Sequence, residues 1–102
     1  MLFRSLCASI QYRIINILLD KLKKAVAETG IKVVCLAGGV SANKGLRRAL
    51  IELGEKENWR VSIPDFEYCT DNAAMIAITA HHKFIAGQTA SLNQASSARA
   101  TW

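Results

Sequence analysis

Lys32-Val33-Val34-Cys35-Leu36-Ala37-Gly38-Gly39-Val40-Ser41-Ala42-Asn43 is the stretch that decides the fold. Its first six residues form a short apolar run, β-branched at its centre and too short for a helix. They predict a strand buried on both faces, as in a parallel sheet. Two glycines end the run. Ser41 or Asn43 then caps a helix, because each offers a side-chain oxygen to the orphan amide groups of a first turn. That helix runs to about Glu57, with Leu46, Leu50 and Leu53 inward and Arg47, Arg48 and Glu52 outward.

Downstream, Trp59-Arg60-Val61-Ser62-Ile63-Pro64 reads as a second strand, closed by a proline that cannot donate to a ladder. Asp65 to Cys69 is a connecting loop. A third helix starts at Thr70 or Asp71 and continues through Met75, Ile76, Ile78 and Phe84. Upstream, Ile10, Ile14, Ile17, Leu18, Leu22 and Ala25 make the stripe of an amphipathic helix from about Ser5 to Glu28, and Gly30 supplies its stop. The order helix, strand, helix, strand, helix is an α/β pattern with a small parallel sheet. Residues 87–102, rich in Ala, Ser, Thr and Gln, carry no periodicity and are expected to be a surface tail.

The length of 102 residues suits one small domain, and a composition 51% hydrophobic and 21% charged is that of a globular chain. Charged residues interrupt every apolar stretch before the roughly 20 residues of a membrane span. With no secretory signal evident in Met1-Leu2-Phe3-Arg4, a soluble, cytoplasmic protein without membrane contact is expected. Cys7, Cys35 and Cys69 are odd in number and lack C-x-x-C spacing, which points to reduced, mostly buried thiols rather than a disulfide framework. The net charge of +5 comes from thirteen Lys and Arg against eight acids, scattered over the chain except for Lys21, Lys23, Lys24 and the pair Arg47-Arg48; it permits contact with an acidic partner such as RNA and equally describes solvated helix faces. Two strands are few for a self-standing parallel sheet, so the chain is expected to be part of something larger.

Two constellations carry chemistry. In Ala37-Gly38-Gly39-Val40-Ser41-Ala42-Asn43 the glycines let a backbone approach a ligand, and the helix N-terminus that follows offers amide groups to an anion. The loop is neither a P-loop nor a dinucleotide fingerprint. A glycine pair between strand and helix is a nucleotide cradle or simply a tight turn. In Cys69-Thr70-Asp71-Asn72-Ala73-Ala74-Met75, Asp71 is either a helix cap complementing the dipole or a metal ligand.

The ordered pair A-G-G-V-S-A-N and C-T-D-N-A-A-M-I-A, at this spacing, resembles the tRNA N6-adenosine threonylcarbamoyltransferase family. Leu6-Cys7-Ala8-Ser9-Ile10-Gln11 is similar to that family's D-x-x-A-S-x-Q helix start, and Ser91-Leu92-Asn93 to its C-terminal extension. The resemblance implies an actin-like, sugar-kinase-like ATPase fold of two lobes, with residues 1–86 as part of the second lobe. It implies that Gly38 and Gly39 line an adenylate, that Asn43 hydrogen-bonds threonylcarbamoyl-adenylate, and that Asp71 gives one ligand to a divalent metal, iron or zinc. It assigns no catalytic acid or base to this chain. The implied partners are tRNA, the N-terminal lobe and accessory proteins of the threonylcarbamoylation complex.

One departure matters. The family's first-lobe H-x-x-x-H pair, which supplies two metal ligands, has no counterpart here: His81 and His82 are adjacent, about 100° apart on a helix, and cannot chelate as histidines one turn apart do. A catalytic metal normally takes about three protein ligands. The chain alone is therefore expected to be inactive. The competing readings are a non-catalytic remnant or interaction module, and a lobe of a related kinase or carbamoyltransferase.

Overall fold

A computed structural model describes residues 2–96. They form helix α1 (Leu2–Thr29), strand β1 (Val33–Cys35), a 3-10 turn (Gly39–Ala42), helix α2 (Lys44–Glu57), strand β2 (Arg60–Ser62), a second 3-10 turn (Phe66–Tyr68) and helix α3 (Ala73–Ile85). The order of helices and strands is the expected one. The chain divides into two compact units, one ending at Asp71 and one beginning at Asn72.

In the first unit β1 and β2 pair in parallel, with Val33 opposite Arg60, Val34 opposite Val61 and Cys35 opposite Ser62. The ladder is extended by Arg60 N–H donating to Lys32 O (2.8 Å) and Leu36 N–H to Ser62 O (3.0 Å). Because parallel strands need a crossover, α2 joins them and packs against β2. Only Val34 of β1 is buried; Val33 and Cys35 are exposed. The strand is therefore covered on one face, not both as its composition predicts, since a helix lies against a single side of this two-stranded sheet.

Leu46, Leu50 and Leu53 turn inward as expected and, with Val34 and Cys69, make the core. Asn43 is the cap of α2: its side chain accepts from Leu46 N–H at 3.0 Å. Ser41, the other candidate, instead donates its hydroxyl to Gly38 O at 2.6 Å. The helix closes on Asn58, whose left-handed backbone (φ 58°) lets its N–H reach Glu55 O and Gly54 O. Gly54 is buried where α2 meets β2, and an added methyl there would run into Val61 Cγ2.

Three other expectations are corrected. The side of α1 that packs carries Ile15, Leu19, Leu22 and Val26, while Ile10, Ile14, Ile17, Leu18 and Ala25 are exposed. At about 100° per residue the packed stripe lies roughly a quarter-turn from the predicted one. The helix is apolar almost all round between Ile14 and Leu19, so periodicity cannot choose between the stripes. No residue from Leu2 to Ile14 is buried. Of the three thiols, all free, only Cys69 is buried. Arg47, expected outward, is turned into the unit.

In the second unit α3 is capped by Asn72, whose side chain accepts from Met75 N–H at 3.0 Å; neither Thr70 nor Asp71 is the cap. Met75, Ile76, Ile78 and Phe84 on it are exposed. Gly87, at φ 70°, follows the helix, and the described residues beyond it contain no helix or strand. The end of the expected tail, 97–102, lies outside the described residues. Among the described residues no helix is long and apolar enough to cross a membrane.

Candidate functional site

The glycine loop is built by two hydrogen bonds to one atom. Gly38 has φ 83° and ψ 179°, a conformation essentially confined to glycine. This directs its carbonyl so that both the N–H (2.9 Å) and the hydroxyl (2.6 Å) of Ser41 donate to it. Ser41 is fully buried, at 0% exposure, so the turn is fixed from beneath. Above it the space is open: a Cβ placed on Gly38 or Gly39 meets no atom within 4 Å. The backbone is thus bare where a ligand can approach.

Asn43 stands at the end of this loop. Its N–H donates to Val40 O (3.0 Å), its own carbonyl accepts from Arg47 N–H (3.0 Å), and its Oδ1 is taken by the cap. That leaves the two Nδ2 hydrogens, on an amide whose orientation the cap has set, as donors toward an incoming oxygen.

Beside Asn43 lies an apolar cleft of ≈ 260 Å³, lined by Ile10, Gln11 and Ile14 of α1 and by Val40, Asn43 and Leu46. Gln11 Nε2 and Ile15 Cδ1 would stand 2.6 and 3.1 Å from a Cβ on Gly45, so the missing side chain there is what lets α1 come this close. Sequence reasoning missed the cleft. Its signal is Gln11 of the Ala8-Ser9-Ile10-Gln11 motif, read there only as a helix start.

Arg47 was missed as well. Its Nε donates to Ser41 O. Its Nη2 donates to Pro64 O at 2.6 Å and to Cys69 Sγ at 3.0 Å, and the guanidinium carbon lies 4.1 Å from the centre of the Phe66 ring. Cys69, 2% exposed, donates in turn toward Asp65 O at 3.5 Å. On the helix Arg47 lies about 60° from Leu50 and about 20° from Gly54, at the rim of the buried stripe. That angle is the signal the Arg47-Arg48 pairing obscured. Arg48 remains exposed, as do Lys21, Lys23 and Lys24.

Asp71 is exposed and its carboxylate is not spent on capping, because Asn72 does that work. Nearby Tyr68 is exposed too. The Glu67 carboxylate, by charge first and by a side-chain hydrogen bond second, raises its phenol above the ordinary range. Among the described residues no three His, Cys, Asp or Glu side chains gather to hold a metal ion. His81 and His82 are exposed on α3 with ring centroids 5.7 Å apart, edge to face. These residues do not by themselves fit a metal.

What the fold and the loop define together is an α/β unit that presents a bare glycine turn between a strand and a capped helix. Comparison with known sequences makes this specific: the family model of tRNA N6-adenosine threonylcarbamoyltransferase matches residues 2–78, and the chain belongs to that family. A relative from Christiangramia forsetii bearing that name is 60% identical over 82 residues, 80% of this chain and 24% of its own length. Same-named relatives from Cytophaga hutchinsonii and Riemerella anatipestifer are 55% and 52% identical, covering 78% and 92% of this chain and 23% and 28% of their own lengths. The chain thus spans about a quarter of the curated relatives it matches.

Proposed function

We propose that this chain is the part of a tRNA-modifying acyltransferase that holds the leaving adenylate. In the reaction, the exocyclic amine of the adenosine next to the tRNA anticodon attacks the carbamoyl carbonyl of threonylcarbamoyl-adenylate, forming the new N–C bond as AMP departs. The observation that carries the reading is the bare Gly38-Gly39 backbone leading into the oriented amide of Asn43. The glycines let the nucleotide lie against the main chain, and Asn43 Nδ2 donates to an oxygen of the adenylate or of the carbamoyl group. A donor pre-set by its cap needs no reorganisation as charge builds on that oxygen.

The family's name supports the substrate class. In this reading residues 1–86 belong to the second lobe of an actin-like ATPase fold, and tRNA, the first lobe and accessory proteins of the threonylcarbamoylation complex are partners. Asp71, exposed and free of capping duty, is one carboxylate toward a divalent cation, iron or zinc, whose other ligands come from outside this chain. No step of the transfer is routed through that ion.

The test is a transfer assay on the complete protein that carries this chain, with threonylcarbamoyl-adenylate and tRNA, reading threonylcarbamoyladenosine by mass spectrometry. The expected result is product with the wild type and little or none with Gly39→Val. ATP-dependent phosphotransfer without tRNA modification would overturn the assignment.

A further inference from the structure

The two motifs are not independent in space. Gly38 O is held by Ser41, Ser41 O by Arg47 Nε, and Arg47 Nη2 reaches Pro64 O and Cys69 Sγ, two residues before Asp71. One side chain therefore ties the end of the glycine loop to the segment that delivers Asp71. We propose that Arg47 is a positioning residue that sets the adenylate-binding loop in register with the Asp71 segment. It touches no substrate itself, and the proposal rests on the reading of Gly38, Gly39, Asn43 and Asp71 given above.

The chemistry favours arginine specifically. A planar guanidinium presents donors in a fixed fork, so Nε and Nη2 can serve acceptors on separate segments at once while the flat face rests on Phe66. A lysine ammonium is a point charge that cannot hold the same spread of acceptors in one geometry. The acceptors are well suited to being held: Ser41 and Cys69 are both buried, where a hydrogen bond meets little competition from water. Fixing segments from two separate loops matters because a displacement of about 1 Å in a reacting constellation can cost on the order of a hundredfold in rate.

The experiment uses the complete protein with Arg47→Met, which keeps much of the apolar stem, and Arg47→Lys, which keeps the charge. Amide hydrogen exchange is followed alongside KM for threonylcarbamoyl-adenylate and kcat. With Arg47→Met, exchange is expected to accelerate about tenfold or more in both 39–43 and 65–71 and to stay unchanged at Leu50 and Leu53. KM rises and kcat falls together, and Arg47→Lys recovers only part of each.

Acceleration in one segment alone, or in neither, overturns the proposal, as does an Arg47→Lys protein equal to wild type in exchange and kinetics. Should Arg47→Met not fold, Arg47→Lys is judged by the same criteria. A wild type that makes no threonylcarbamoyladenosine sinks the functional reading instead, and the exchange pattern still decides whether Arg47 couples the two segments.

Discussion

In the proposed reading Asn43 performs two tasks with two different atoms, and substitution can separate them. Its Oδ1 accepts from Leu46 N–H at 3.0 Å to cap α2, while its Nδ2 is left to donate to a ligand. Asn43→Ala removes both. Loss of such a cap costs about 1 kcal/mol. At an m-value of about 1 kcal/mol/M for so short a chain, the urea midpoint falls by about 1 M. Asn43→Asp retains a capping oxygen and adds a negative charge at a helix N-terminus, which is stabilising by about 0.3–1 kcal/mol. The midpoint should hold or rise. Where Nδ2 donates to the adenylate, binding is expected to behave oppositely, because a carboxylate replaces the two N–H donors with an acceptor facing an anionic phosphate. Loss of a hydrogen bond to a charged group costs about 1.5–3 kcal/mol, so affinity for AMP drops by roughly tenfold to a hundredfold. Urea denaturation followed by circular dichroism reads the first effect, and calorimetric titration of AMP into the complete protein reads the second. Wild-type AMP affinity in Asn43→Asp would refute a donor role toward the adenylate, and a stability loss equal to that of Asn43→Ala would refute the cap.

Other substitutions address neighbouring claims. Gly38→Ala forces a side chain into a backbone conformation reserved for glycine and should destabilise by about 1–3 kcal/mol, whereas Gly39→Ala, with open space and no positive φ, should change stability by less than about 1 kcal/mol; equal midpoints in urea would contradict the strain argument. Gly54→Ala drives a methyl toward Val61 and should cost about 1–3 kcal/mol by thermal or urea unfolding. Asp71→Asn, removing no cap, should leave stability within about 0.5 kcal/mol while lowering the metal content of the complete protein, and unchanged metal by elemental analysis would count against the ligand role. Iodoacetamide should label Cys7 and Cys35 in the folded chain and Cys69 only after unfolding, so rapid native labelling of Cys69 would contradict its burial.

The sequence is legible where one physical requirement dominates. The β-branched run before Gly38-Gly39 has no other plausible use than a strand, and Leu46, Leu50 and Leu53 offer α2 only one apolar face. Legibility fails where two solutions satisfy the same rule. Around Ile14 to Leu19, apolar residues on adjoining sides of α1 allow two stripes, and the choice falls to the close approach at Gly45, which no periodicity encodes. The sequence points to Thr70 or Asp71 as the start of α3, whereas Asn72, chemically as competent a cap, is the one the path of the backbone selects. Arg47 eluded the reading for a different reason. A charged residue is assigned to the outside by default, and its acceptors are main-chain carbonyls and a thiol that leave no pattern in the spacing of residues.

The exposed first half of α1 has a consequence for the order in which the molecule assembles. At about 1.5 Å per residue the helix is roughly 40 Å long, yet its packed residues begin only at Ile15. An isolated helical stretch of a dozen residues is marginal in water, because nucleation is costly while propagation from a formed turn is cheap. Within this unit the turns before Gln11 therefore take their order from the anchored half, growing outward from the crossing at Gly45, where Gln11 and Ile15 approach. Within this unit opening runs the other way: once Gln11 and Ile15 leave Gly45, no buried side chain holds the turns before them. The edge of the cleft beside Asn43 thus forms together with the crossing, because Gln11 belongs to both.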